Sequence, residues 1–159
     1  MFRVKNVLAA VMIVLPLVIA AVVKYGPAFL PKTKISSVAI LPAHVYAPGQ
    51  YNYMIDDVPN RLRQTLSTIP NLQIQRTPLP SEVGQADRDL VKLSSMIGGA
   101  DVLVQPTMTL DEGILELGLE VVDPVKKQVI YNEAFDSPLA QYSEMVQSAA
   151  TALKHAIER

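Results

Sequence analysis

Residues 102–135 read VLVQPTMTLDEGILELGLEVVDPVKKQVIYNEAF, and the alternation in this stretch decides the fold. From Ile114 to Val122 the apolar residues Leu115, Leu117, Leu119 and Val121 fall at every second position. A period of two belongs to a strand with one buried face. Val102 to Leu110 before it, and Gln128 to Phe135 after it, are runs of strand length. Asp111-Glu112-Gly113 closes the first connection as a hairpin turn, and Asp123 to Lys127 turns the chain again. Three successive strands joined by short turns are antiparallel. Pro106 has no N–H to give a ladder, so the first of them needs a bulge or a sheet edge there.

Upstream, Val38-Ala39-Ile40-Leu41 is a continuous apolar run closed by Pro42. It reads as a strand buried on both faces. Ala43 to Asn52 reads as a loop around Pro48-Gly49. A helix follows from about Tyr53 to Thr68, with Ile55, Val58, Leu62, Leu66 and Ile69 at helical spacing, and Pro70 stops it. Leu72 and Ile74 alternate with Gln73 and Gln75 as a half-buried strand. Thr77 to Gln85, with Pro78 and Pro80, reads as a loop. A second helix runs from about Ala86 to Ile97 and carries Ala86, Leu90, Leu93 and Ile97 on one face; Gly98-Gly99 ends it in the left-handed conformation. Pro138 opens the last helix, whose stripe is Leu139, Tyr142, Val146, Ala149, Leu153 and Ala156. The order is β-α-β-α-β-β-β-α. It predicts an α/β domain with a five-stranded mixed sheet and helices packed on it. The first three strands, joined through helices, should be parallel.

Half of the 159 residues are apolar and only 18% are charged, so the chain is too hydrophobic to be disordered. It has no Cys, which excludes a disulfide scaffold, a thiolate metal site, a Cys nucleophile and a lipidated Cys. The net charge is 14 − 15 = −1, unevenly spread. Residues 1–34 hold Arg3, Lys5, Lys24, Lys32 and Lys34 and no acid, a total of +5. The remainder holds 14 − 5 = 9 bases and all 15 acids, a total of −6. An acidic domain is a poor nucleic-acid binder, so no nucleic-acid partner is expected.

Val7 to Val23 reads VLAAVMIVLPLVIAAVV, without one polar side chain. As a helix it spans about 26 Å, close to the ~30 Å hydrocarbon core. Pro16 kinks such a helix without excluding it. A signal peptide's apolar core is shorter, so residues 1–25 are expected to form an uncleaved transmembrane signal-anchor; Val18-Ile19-Ala20 is a cleavage pattern that leaves the alternative open. Flanking positive charge is balanced and does not orient it. A short N-terminal tail ahead of the run favours the large domain outside the cytoplasm. Residues 26–34, with two prolines and a glycine, form a linker, and the domain occupies residues 35–159.

The chemistry-bearing residues do not form a catalytic pattern. There is no phosphate-binding glycine loop and no nucleophile elbow. His44 and His155 are far apart and lack a ligand pattern; His155 suits the C-terminal end of the last helix. Asp56 and Asp57 diverge by about 100° on a helix and suit its first turn instead. No cofactor, metal site or catalytic residue is expected. One segment stands out: His44, Tyr46, Tyr51 and Tyr53 lie within eleven residues, three of the six tyrosines among them. Tyrosine offers apolar area with a polar tip, which suits a protein interface. The other reading is that these rings cover the end of the sheet.

Several short patterns, taken in order, resemble the N-terminal domain of the TolB family and its relatives: the FlgO and CsgG families, the penicillin-binding-protein activator lipoproteins, and TolB-like domains ahead of TPR repeats. They are VAILPA from Val38, VPNRLRQTLSTIP from Val58, LQIQRT from Leu72, GGADVLVQP from Gly98 and LELGLEVVDPVKKQVIY from Leu115. The resemblance covers about Lys34 to Glu158. Ala43, Pro106 and Lys127 depart from its pattern, and no Cys is present for a lipoprotein anchor. It implies an exported, non-enzymatic module that binds other cell-envelope proteins, with no shared active-site residue. The expectation is a single-pass bacterial inner-membrane protein with a periplasmic domain, acting as a binding or assembly component of secretion, flagellar or cell-wall machinery, with homo-oligomerisation open. Two other classes stand beside it: a small-ligand sensor, and an enzyme domain completed by a partner.

Overall fold

The computed structural model describes residues 34–86 and 89–159. The expected membrane anchor, and the linker up to residue 33, lie outside the described residues. Among the described residues no helix is long and apolar enough to cross a membrane.

The three antiparallel strands run β4 (Val102–Asp111), β5 (Ile114–Asp123) and β6 (Gln128–Pro138). The first strand, β1 (Ser37–Ile40), pairs parallel with β4 on one side and with the two-residue β3 (Gln73–Ile74) on the other. The sheet order is β3-β1-β4-β5-β6, as mixed as the connections require.

A sixth strand corrects the expected five. His44–Tyr46, expected in a loop, forms β2 and pairs parallel with Thr107–Thr109 of β4. β1 and β2 therefore lie end to end along one side of β4. Leu41 to Ala43 spends three residues where β4 spends two, Gln105 and Pro106. The bulge expected at Pro106 is this interruption. Pro106 has no N–H to offer, and the Gln105 side-chain amide fills the gap by donating to the Pro42 carbonyl at 3.2 Å.

Helix α1 (Met54–Leu66) contains Pro59 in its interior. A proline there deprives the carbonyl four residues back of its donor. That carbonyl, on Ile55, accepts instead from the Ala43 N–H at 3.1 Å. The same bond fixes the junction between β1 and β2 against the helix.

Where the sequence predicts a loop and then one helix from Ala86 to Ile97, the structure has two helices. α2 (Pro80–Gln85) forms within the expected loop, and α3 (Leu90–Met96) follows. Pro80 at the first helical position suits a helix start, because its missing N–H would be unpaired anyway. The Glu82 carboxylate takes the Leu79 N–H at 2.8 Å and a two-pronged bond from Arg76. Asp89 caps α3 by accepting from Val91 and Lys92. The last helix, α4 (Tyr142–Glu158), follows a short 3-10 turn at Leu139–Gln141.

Two cores lie on opposite faces of the sheet. Val38 and Ile40, the alternating leucines of β5, and Val104 and Met108 pack under α1 and α4. Ala39, Leu41 and Leu103 face the other way, under Ala86, Leu93 and Ile97. β1 is thus buried on both faces, as its unbroken apolar run requires. The helices of the second face cover only the end of the sheet where β1 and β4 begin.

Candidate binding surface

Beyond Leu103 the second face of the sheet carries no helix among the described residues. Neighbours in register point the same way, so three rows of side chains cross it. One row is Tyr46, Thr109, Glu116 and Asp136. The next is His44, Thr107, Gly118 and Ala134, and the third is Gln105, Glu120 and Asn132. Thr109, Glu116, Asn132, Ala134 and Asp136 are exposed. The middle row ends in a glycine and an alanine, so a shallow trough runs between two polar rows.

β2 alternates by the same rule. Val45 turns inward against the main core, which sends His44 and Tyr46 outward onto the open face. Tyr46 keeps 62% of its surface exposed. Tyr51 lies in a 3-10 turn at Gly49–Tyr51 and packs against the main core. Tyr53 is 53% exposed and sits edge-on to Tyr142, with ring centroids 6.0 Å apart and planes at 84°. The four residues singled out in sequence thus do not form one cluster. His44 and Tyr46 share the open face, Tyr51 supports the core, and Tyr53 belongs to the helix side.

On that helix side lies a polar cluster that the sequence reading missed. The Asp57 carboxylate accepts from the Tyr142 hydroxyl and from Arg61 Nε, both at 2.7 Å. Arg61 also donates to the Ser143 hydroxyl at 2.9 Å and stands 5.7 Å from the Tyr142 ring centre. Burial, and then the bond to Asp57, hold the Tyr142 hydroxyl well above its ordinary range, so it stays protonated. A neutral donor locked onto a carboxylate that also holds an arginine is a fastener between helices. Asp56, expected to diverge from Asp57, is exposed and does so.

A second carboxylate ties the strands at their start. Asp101 Oδ2 accepts from the Ser36 N–H, the Ser36 hydroxyl and the Ser37 N–H at 2.7–2.9 Å. Burial works to raise its pKa, but these bonds outweigh it and hold the carboxyl below its usual range. Glu82 is pulled down to about 2, first by Arg76 and then by the Leu79 N–H. Each is explained by a structural bond. Among the described residues no three His, Asp or Glu side chains lie close enough together to hold a metal ion.

No protein-family profile matches the sequence, and no curated protein matches it. Solved structures do match in shape. The hypothetical protein CT253 from Chlamydia trachomatis superposes with a TM-score of 0.57 at 12% identity, over 77% of this chain and 98% of that one. TolB from Acinetobacter baumannii superposes with a TM-score of 0.52 at 16% identity, over 79% of this chain. The fold is TolB-like. The match spans only 28% of the TolB chain, so this domain corresponds to a part of that protein. A PelC dodecamer subunit from Paraburkholderia phytofirmans has a similar fold, with a TM-score of 0.52 at 13% identity, over 82% of this chain and 94% of that one. The TolB-like fold here therefore has the order of elements that the sequence patterns implied, with one short strand and one short helix more.

Proposed function

We propose that this chain is a non-enzymatic, single-pass inner-membrane protein of a bacterial envelope, whose periplasmic TolB-like domain binds other envelope proteins as an assembly component. The observation that carries this reading is the open sheet face: an exposed Tyr46 beside a shallow polar trough, on a domain whose remaining faces are packed under helices. Ring-bearing residues at the margin of an uncovered surface are a usual means of protein recognition. The apolar run of residues 7–23 supports the anchor, and the fold shared with TolB supports an envelope setting. The partly buried carboxylate of Asp57, and those of Glu82 and Asp101, are engaged in structural bonds, which fits binding better than catalysis.

The test places a photo-crosslinking residue at position 46 of the full chain in living cells, with a second at exposed Gln147 on α4 as control. Discrete adducts to envelope proteins from position 46 alone are expected. Adducts from position 147 alone, or none from either, would overturn the reading. A reporter active only in the periplasm, fused after Arg159, should be active; activity from a cytoplasmic reporter alone would reverse the topology.

A further inference from the structure

Among the described residues β6 is the outermost strand of the sheet, and nothing pairs with its long outer edge. The Leu139 N–H donates to the Gly113 carbonyl, which sets the alternation of the β5–β6 ladder. Ser137, Phe135, Glu133 and Tyr131 then bond inward to β5. Asp136, Ala134 and Asn132 point their N–H and carbonyl groups away from the sheet. A bulge between Val121 and Val122 leaves Ile130 as an extra residue, so the regular edge runs from Tyr131 to Ser137.

The charge of this edge decides what can pair with it. β5 and β6 together carry Glu116, Glu120, Asp123, Glu133 and Asp136, and no Lys, Arg or His. Asp136 stands on the open face. Glu133 stands on the helix-covered face opposite Leu119, where the Tyr131 hydroxyl donates to it. Pairing with a second copy of β6 gathers two sets of carboxylates with no cation on either strand to offset them, which is unfavourable. A strand with cations opposite Glu133 and Asp136 has the complementary charge.

We infer that the β6 edge from Tyr131 to Ser137 receives an added strand: an extended segment of another protein with two basic side chains three residues apart, one for each face. The outward amides supply backbone bonds, and Glu133 and Asp136 supply register. The added strand extends the rows that cross the open face, with which it is continuous. The inference rests on the reading of the domain as a protein-binding module and names the chemistry of its partner.

The probe is the labelled peptide Thr-Lys-Val-Thr-Lys-Val-Thr, blocked at both ends, against the same peptide with Glu for Lys. Both are titrated into the full chain in detergent micelles, with amide hydrogen exchange followed along β6. The lysine peptide should bind at least about tenfold more tightly at low salt, and the gap should close as salt screens it. The amides of Asn132, Ala134 and Asp136 should become protected. Ala134→Pro, which removes one outward donor, should weaken binding. Glu133→Gln with Asp136→Asn should abolish the preference for lysine while leaving the backbone intact. Equal binding of both peptides, no binding, protection elsewhere in the chain, or concentration-dependent protection of β6 without peptide would each overturn the inference. If crosslinks from position 46 persist in those cases, protein binding stands and only the β6 assignment falls.

Discussion

The Tyr142 hydroxyl donates to Asp57 Oδ2 across 2.7 Å and 85 positions of sequence, and this bond joins the first turns of α1 and α4. Both helices pack on the same face of the sheet, so the bond closes the outer end of the main core. Tyr142→Phe removes the donor and keeps the ring. It should cost about 1 kcal/mol at neutral pH, the ordinary net value of one such bond, read from urea unfolding.

The same bond makes a pH prediction whose sign is fixed. The folded pKa of Tyr142 is raised above the ordinary tyrosine value of 10.0 by burial and by Asp57. Stability from a raised group is fully present below the unfolded value and is lost as pH rises through the folded one. The stability difference between the parent and Tyr142→Phe should be constant from pH 7 to 9 and shrink as pH climbs above 10. A difference that grows on that side would reverse the assignment.

Asp101 gives the opposite sign. Its folded pKa is held below the ordinary aspartate value of 3.8 by the Ser36 and Ser37 bonds. Its contribution is present above that value and is lost as pH falls through the folded pKa. Asp101→Asn should lower stability by about 1–2 kcal/mol at pH 7. That deficit should narrow below pH 4, because the parent loses there what the variant never had. An unchanged deficit at pH 3 would show that the carboxylate charge is not what holds β1 to β4.

The meander was legible because one of its faces is buried, and burial imposes alternation on Leu115, Leu117, Leu119 and Val121. β1 was legible because both faces are buried. β2 was not: three residues after a proline carry no periodic signal, and only pairing with Thr107–Thr109 makes them a strand. α2 was hidden by reading Pro80 as a loop residue when it begins a helix. The tyrosine cluster drew attention to a segment, but the period of two in β2 and the turn after it split its members between two sides of the sheet. The Tyr142–Asp57 bond left no trace in local sequence, since its partners meet only through packing. The trough had one available sign, a glycine at position 118 inside an otherwise regular strand.

The turn at Glu112-Gly113 has φ of 47° and 83°, the pair of positive angles that a two-residue hairpin loop of this hand demands. Glycine meets this without strain and glutamate does not. Glu112→Asn should therefore raise stability by about 0.5 kcal/mol, and Gly113→Ala should lower it by about 1 kcal/mol. Lys127, at φ 54°, is a third such position, where glycine should also be favourable. Melting curves of the three variants check the ordering; a destabilised Glu112→Asn would contradict the turn geometry.

The split among the tyrosines predicts different outcomes for similar truncations. Tyr46→Ala removes an exposed ring and should change stability by no more than about 0.5 kcal/mol. Tyr51→Ala removes a ring packed on the main core and should cost about 2 kcal/mol, less than a fully buried aromatic. Partner crosslinking through the open face should fall in the first variant while its melting curve stays near the parent's. Equal destabilisation by both would mean that β2 does not present Tyr46 as described.

Gly118 separates stability from binding most sharply. A glycine inside a strand is a local penalty of roughly 0.5–1 kcal/mol, from backbone entropy and the missing side chain. Space does not require it, because an added Cβ would lie 3.9 Å from the Thr107 carbonyl oxygen, an ordinary contact. Its φ is not in the left-handed region either. What it does is keep the middle row of the open face low, between Thr107 and Ala134. Gly118→Val should therefore raise the unfolding free energy by about 0.5–1 kcal/mol while filling the trough. If the trough is part of the docking surface, this more stable variant should lose crosslinking from position 46. Retained crosslinking would confine recognition to Tyr46 and the sheet margin, and a drop in stability would show that the open face is covered by something that needs the glycine.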